Sequence, residues 1–150
     1  MKSEVRYGEI NMTERLSLIP DERMKAGREH RIPLSDAAMA VLERMQENHV
    51  SDYVFPGVKQ DKPLSDMSLT ATLKRMGRSD LTAHGFRSTF RDWASETTAY
   101  PQEVCEMALA HTIANKVEAA YRRGDLFDKR IHLMTDWANY CNNLTADTQS

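Results

Sequence analysis

The chain has 150 residues, 41% of them hydrophobic, with 20 Lys and Arg against 22 Asp and Glu and a formal net charge of −2. That length suffices for one domain with its own core; no apolar run reaches the length of a membrane span, and the polar N-terminus does not read as a signal peptide. The slight negative charge argues mildly against a nucleic-acid partner, and Cys105 and Cys141 have neither metal-ligand nor disulfide-framework spacing, which points to reduced thiols in a cytosolic compartment.

Read in chain order, Arg15 to Ile19 is a short strand ending at Pro20, Glu22 to Arg28 a polar turn containing Gly27, and Glu29 to Pro33 the returning strand. Ser35-Asp36 offers an N-cap, and Ala38, Val41, Leu42 and Met45 follow at helical spacing. Tyr53-Val-Phe is a short apolar segment stopped by Pro56-Gly57. A second helix spans about Ser68 to Met76 and ends at Gly77. A third runs from about Gly85 to Ser95 and buries Phe86, Phe90 and Trp93. Pro101 suits the first turn of a fourth, which carries Val104, Met107 and Ala108. A fifth covers about Ala114 to Arg122. A sixth runs from about Leu126 to Tyr140 with Ile131, Met134 and Trp137 on one stripe, and the residues after Asn142 form a frayed polar tail. The sum is an α+β domain, mostly helical with a small antiparallel sheet.

Charge is distributed unevenly. Arg23, Lys25, Arg28 and Arg31 gather in the hairpin, and Lys74, Arg75, Arg78, Arg87 and Arg91 in a second region, while acids crowd elsewhere. A basic face on a neutral body is therefore compatible with DNA. Within this frame, His84-Gly-Phe-Arg87, Leu109-Ala-His111 and Tyr121 set two histidines, an arginine and a tyrosine in an order that suits a phosphodiester. A guanidinium grips phosphate oxygens with a planar fork, a histidine moves a proton near neutral pH, and a tyrosine hydroxyl can form a covalent intermediate. Each residue also has an ordinary reading. Tyr121 can be an amphipathic helix residue with a wet hydroxyl, Arg87 a surface partner of Asp92, His84 a residue of the N-cap region, His111 a helix C-terminal histidine favoured by the macrodipole, and Lys25 an exposed turn lysine. Neither a His-Glu-x-x-His nor a Cys-x-x-Cys pattern occurs, and a Gly-rich phosphate loop is also missing, so no metal or cofactor is expected.

In order and spacing these boxes resemble those of the tyrosine recombinases, or phage integrases, whose pattern is His-x-x-Arg, Leu-x-His and then a tyrosine about ten residues on. The flanks, Ile19-Pro-Asp-Glu-Arg-Met-Lys25 with His30-Arg-Ile-Pro-Leu-Ser35, Tyr53-Val-Phe-Pro-Gly57 and Thr82 to Trp93, resemble the integrases of prophages and genomic islands, and the likeness runs from about Glu4 to about Tyr140. The resemblance implies the catalytic-domain fold over residues 1–142, with 143–150 as tail, and a double-stranded DNA attachment site as partner in the bacterial nucleoid. It implies roles as well: Tyr121 the nucleophile, Arg87 the grip on the phosphate, His84 a general base, His111 a hydrogen-bond donor to the phosphate, and Lys25 the acid for the leaving 5′-oxygen. Lys25, Arg28, Arg31, Arg87 and Arg91 would touch DNA. The helix after the nucleophile would dock on a neighbouring protomer in a tetramer on DNA through Phe127, Ile131, Met134 and Trp137, packing on its own core being the equal alternative.

One departure matters. The family carries a second phosphate arginine three residues before a Glu-Val pair. Here the pair is Glu4-Val5, and Met1 stands at the matching position. The chain is therefore expected to be an N-terminally truncated integrase with little activity alone, the alternatives being a non-catalytic remnant that binds DNA or another recombinase protomer, or a helical interaction module.

Overall fold

The computed structural model describes residues 4–111 and 124–147, with the side chains of the last four outside the description. In chain order the elements are a 3-10 turn (Tyr7–Glu9), β1 (Ile10–Asn11), β2 (Leu16–Ile19), a second 3-10 turn (Asp21–Arg23), β3 (His30–Pro33), α1 (Asp36–Glu47), α2 (Asp66–Arg75), α3 (Gly85–Thr97), α4 (Gln102–Ala108) and α5 (Phe127–Asp147). The class is the expected one, helices with a small antiparallel sheet. The expected helix at Ala114 to Arg122 lies outside the described residues.

The sheet has the order β1-β2-β3, antiparallel throughout, and the β2–β3 register pairs Ser17 with Ile32 and Ile19 with His30. The short first strand had no periodic signature, because two residues are too few to alternate. Gly27 sits at φ +65° in the hairpin turn, where a side chain would be strained, and its N–H donates to the Met24 carbonyl. Ser35 caps α1 by accepting from the Ala38 N–H, as its sequence context predicts. The second helix begins earlier than Ser68, because Ser65 caps it in the same way, its hydroxyl accepting from the Ser68 N–H.

The core is built mainly by α3, α4 and α5. Phe90, Trp93 and Ala94 of α3 meet Val104 and Cys105 of α4, Leu109, and Leu133 of α5. Aromatic rings close this core on one side: Trp137 stands edge-on to Phe90 at 5.3 Å and lies 5.1 Å from Trp93, which in turn faces Tyr140 at 5.6 Å. Such pairs contribute about 1 kcal/mol each beyond the area they bury. One expectation fails here. Phe86, expected inside, is 49% exposed, because α3 turns Phe90, Trp93 and Ala94 inward and leaves Phe86 on the other side near its start. Ile131, on the stripe with Met134 and Trp137, is 40% exposed, and the inward positions of α5 are Arg130 and Leu133, with Met134 and Trp137 beside them. The helix also continues past Tyr140 to Asp147. None of the described helices is long and apolar enough to cross a membrane.

Arg130 ties α5 to the sheet. It is 1% exposed and is satisfied mostly by backbone: Nε donates to the Asp125 carbonyl at 2.7 Å and Nη1 to the Arg31 carbonyl at 2.6 Å. Nη2 lies 3.1 Å from Asp125 Oδ2, too far off line for a hydrogen bond. The same carboxylate receives Arg31 in a bidentate pair, Nε at 2.8 Å and Nη2 at 2.7 Å. Arg31 also lies over the Phe127 ring at 4.4 Å.

Candidate active site

The site forms where the start of α3 meets the end of α4. Thr82 begins it: its hydroxyl accepts from the Gly85 N–H at 3.0 Å and so satisfies one of the open donors of α3. A side chain at position 85 would press on that hydroxyl at 3.1 Å, which favours glycine. His84 is therefore left exposed at the cap position with no capping bond of its own, and Arg87 follows one turn later on the same side. Arg87 does not pair with Asp92. It is half-buried, and its Nη2 donates to the Leu109 carbonyl at the end of α4, 2.5 Å away.

The end of α4 explains why that carbonyl is available and where His111 goes. Ala110 takes a left-handed conformation, φ 54°, and its N–H donates to the Met107 carbonyl, while the His111 N–H donates to the Glu106 carbonyl at 3.0 Å. This pair of bonds is a Schellman closure, which usually places glycine at the left-handed position. A residue with a Cβ there is strained, as backbone at functional sites often is. The closure swings His111 out of the helix. Its Nδ1 then meets Glu106 Oε2 at 2.5 Å, and the other Glu106 oxygen takes Arg91 Nη1 in an ion pair. Arg87 and Arg91, one turn apart on α3, thus both reach the end of α4 and hold His111 in relation to Arg87.

β3 adds a residue that motif reading missed. Burial pushes the His30 imidazole down to about pKa 4, and the Arg130 guanidinium beside it acts the same way, partly opposed by Asp125 and reinforced by Arg87. His30 is thus an uncharged ring at neutral pH within the field of Arg87. Its signal in the sequence was its place in His30-Arg-Ile-Pro, where the strand turns into the domain. Glu106 was also missed, since a glutamate five residues before a histidine is unremarkable until the helix closes back on itself.

The remaining sequence candidates are more dispersed. Lys25 and Arg28 are exposed in the β2–β3 turn. Arg23, in the same basic cluster, is ion-paired with Glu9 and donates to the Glu4 carbonyl at 2.7 Å. Arg31 and Arg91 are engaged by Asp125 and Glu106 as described, the Arg31 contact holding the Asp125 carboxyl below the usual carboxylate range. Tyr121 lies outside the described residues.

Comparison with known proteins bears on these positions together. Residues 3–126 match the model of the phage integrase family. The prophage integrase IntA of Escherichia coli is 37% identical over 140 residues, covering 91% of this chain and 34% of that protein. The prophage integrase IntZ of the same species is 33% identical over 143 residues, covering 94% and 35%. The chain therefore spans about a third of the length of these curated relatives. No solved structure matches it. A family match over most of the chain, relatives at this identity, and the helical domain with its small sheet agree, and the chain belongs to the phage integrase family of tyrosine recombinases, in the branch of the prophage integrases.

Proposed function

We propose that residues 1–142 are the catalytic part of a site-specific integrase that cuts and rejoins a double-stranded DNA attachment site in the bacterial cytoplasm through Tyr121. The phenolic oxygen attacks phosphorus, the bond to the 5′-oxygen breaks, and a 3′-phosphotyrosyl link stores the bond energy until another 5′-hydroxyl reverses the step. His84 takes the tyrosine proton and Lys25 returns one to the leaving 5′-oxygen. Arg87 and His111 stabilise the charge that grows on the phosphate oxygens. Lys25 and Arg28 reach the DNA backbone from the exposed hairpin turn, while Arg31 and Arg91 offer it only the N–H groups their carboxylates leave over.

The observation that carries this reading is the convergence of Arg87 and His111 at the end of α4. They are joined through Leu109 and Glu106 in a chain of the integrase family.

One of the family's two phosphate arginines falls within this sequence, and a missing transition-state donor costs about 3 kcal/mol, or about two orders of magnitude in rate. This chain alone should therefore cleave little.

A nicked suicide duplex carrying the attachment site tests the reading on a denaturing gel. A version spanning the full length of the relatives should give a covalent band that Tyr121→Phe removes, with little band from this chain. A band that survives Tyr121→Phe would overturn the nucleophile assignment.

A further inference from the structure

We propose that Glu106 is a positioning residue for His111: it fixes the proton on Nδ1 and presents Nε2 as the nitrogen that meets the substrate phosphate. The proposal rests on the reading of His111 as a phosphate contact.

Three observations carry it. The first is that residue 106 holds residue 111 twice, by its backbone carbonyl to the His111 N–H at 3.0 Å and by Oε2 to the ring Nδ1 at 2.5 Å. Backbone and ring are thus set by one residue, across the strained turn at Ala110. The second is that the carboxylate is itself held. Its other oxygen pairs with Arg91, and the Glu106 side chain is 20% exposed, whereas an ordinary surface partner would swing freely. Arg91 stands one turn beyond Arg87 on α3, so the same helix that carries the phosphate arginine also anchors the group that orients the histidine. The third is chemical. An ionised carboxylate only accepts, so Nδ1 must carry the proton in this contact.

A consequence follows for the phosphate. With Nδ1 protonated, a neutral ring has a lone pair on Nε2 and cannot donate there. His111 can donate from Nε2 to a phosphate oxygen only as the imidazolium, whose positive charge the Glu106 carboxylate balances. The charged ring then adds a cation as well as a hydrogen bond beside Arg87. Without Glu106 the ring would be free to carry its proton on Nε2 and donate as a neutral, weaker group.

The test is long-range proton–nitrogen NMR of this chain at about pH 8, where an unperturbed imidazole is neutral. The wild-type ring of His111 should favour the Nδ1–H tautomer by roughly tenfold or more, as a charge-assisted bond allows. Glu106→Ala should lower that ratio about tenfold, and Glu106→Gln should keep most of it, because the amide oxygen still accepts from Nδ1. A wild-type ring with its proton on Nε2 would overturn the proposal whether or not either variant folds, and so would an unchanged ratio in a folded Glu106→Ala. The readout contains no DNA. If the ratios behave as expected while full-length protein forms no adduct, the recombinase reading falls and with it the phosphate contact, while the Glu106 hold on the His111 tautomer stands.

Discussion

Two clusters in this domain are built on one plan, a single carboxylate shared by two nitrogen-bearing side chains, and they differ in where they lie. Asp125 joins Arg31 and Arg130 at the junction of α5 with β3, where Arg130 is 1% exposed and two of its nitrogens are spent on backbone carbonyls. Glu106 joins Arg91 and His111 at the end of α4, where those side chains are 34% and 44% exposed. In the first, Arg130 is locked into the fold and serves as a fastening, while Arg31 and Asp125 stay 41% and 30% exposed. In the second, Arg91 and His111 face solvent, and what the carboxylate fixes is direction. The burial of one member, Arg130, separates the structural cluster from the one that can serve chemistry.

The largest effect expected from this comparison is on stability at the buried cluster. Asp125→Ala leaves Arg130 with its carbonyl partners but no counter-charge, and breaking a buried pair from one side costs about 3 kcal/mol. Urea unfolding of the two proteins measures it directly, and a loss under about 1 kcal/mol would mean that backbone carbonyls alone suffice for Arg130.

His30 sharpens the same point through pH. Its folded pKa of about 4 lies below the ordinary imidazole value of 6.5, so the unfolded chain binds more protons between those values. The stability this contributes is complete above about pH 6.5 and is lost as pH falls toward 4, on the order of 2 kcal/mol once partial exposure is allowed for. Asp125, whose carboxyl is depressed by the Arg31 hydrogen bond, adds a further loss as pH falls below its unfolded value of about 4. The urea midpoint should therefore fall in two stages, and His30→Gln should flatten the upper one.

Ala110 gives a smaller, opposite effect. Glycine at this left-handed position relieves strain in the closure, and Ala110→Gly should raise stability by about 1 kcal/mol in the same titration. A fall instead would mean that the Ala110 methyl packs usefully where the turn closes.

The elements were legible in the sequence where their causes are local. Ser35 as a cap, the glycine turn at Gly27 and the apolar spacing of α3 to α5 each act within a few residues. The wrong expectation, Phe86, concerns which side of a helix faces inward, and that is decided by partners far along the chain. The motif order placed Arg87 and His111 in one site, but the contacts that assemble it could not be read. Arg87 reaches a carbonyl 22 residues away, Arg31 a carboxylate 94 away, and Arg130 a carbonyl 99 away. The basic hairpin likewise looked like one DNA-facing patch, and only folding assigns Arg23 to Glu9 and Arg31 to Asp125.

The smallest expected effect is the one that decides whether the two clusters truly differ. Glu106→Ala removes a carboxylate from two donors, as Asp125→Ala does, yet Arg91 and His111 can both turn to water. Exposed pairs of this kind contribute about 0.2 to 1 kcal/mol. The urea midpoint should therefore move little, while the His111 ring loses its orientation. If Glu106→Ala instead costs as much stability as Asp125→Ala, then the end of α4 is a fastening too, and the half-exposure of Arg91 and His111 conceals a pair on which the packing of α3 against α4 depends.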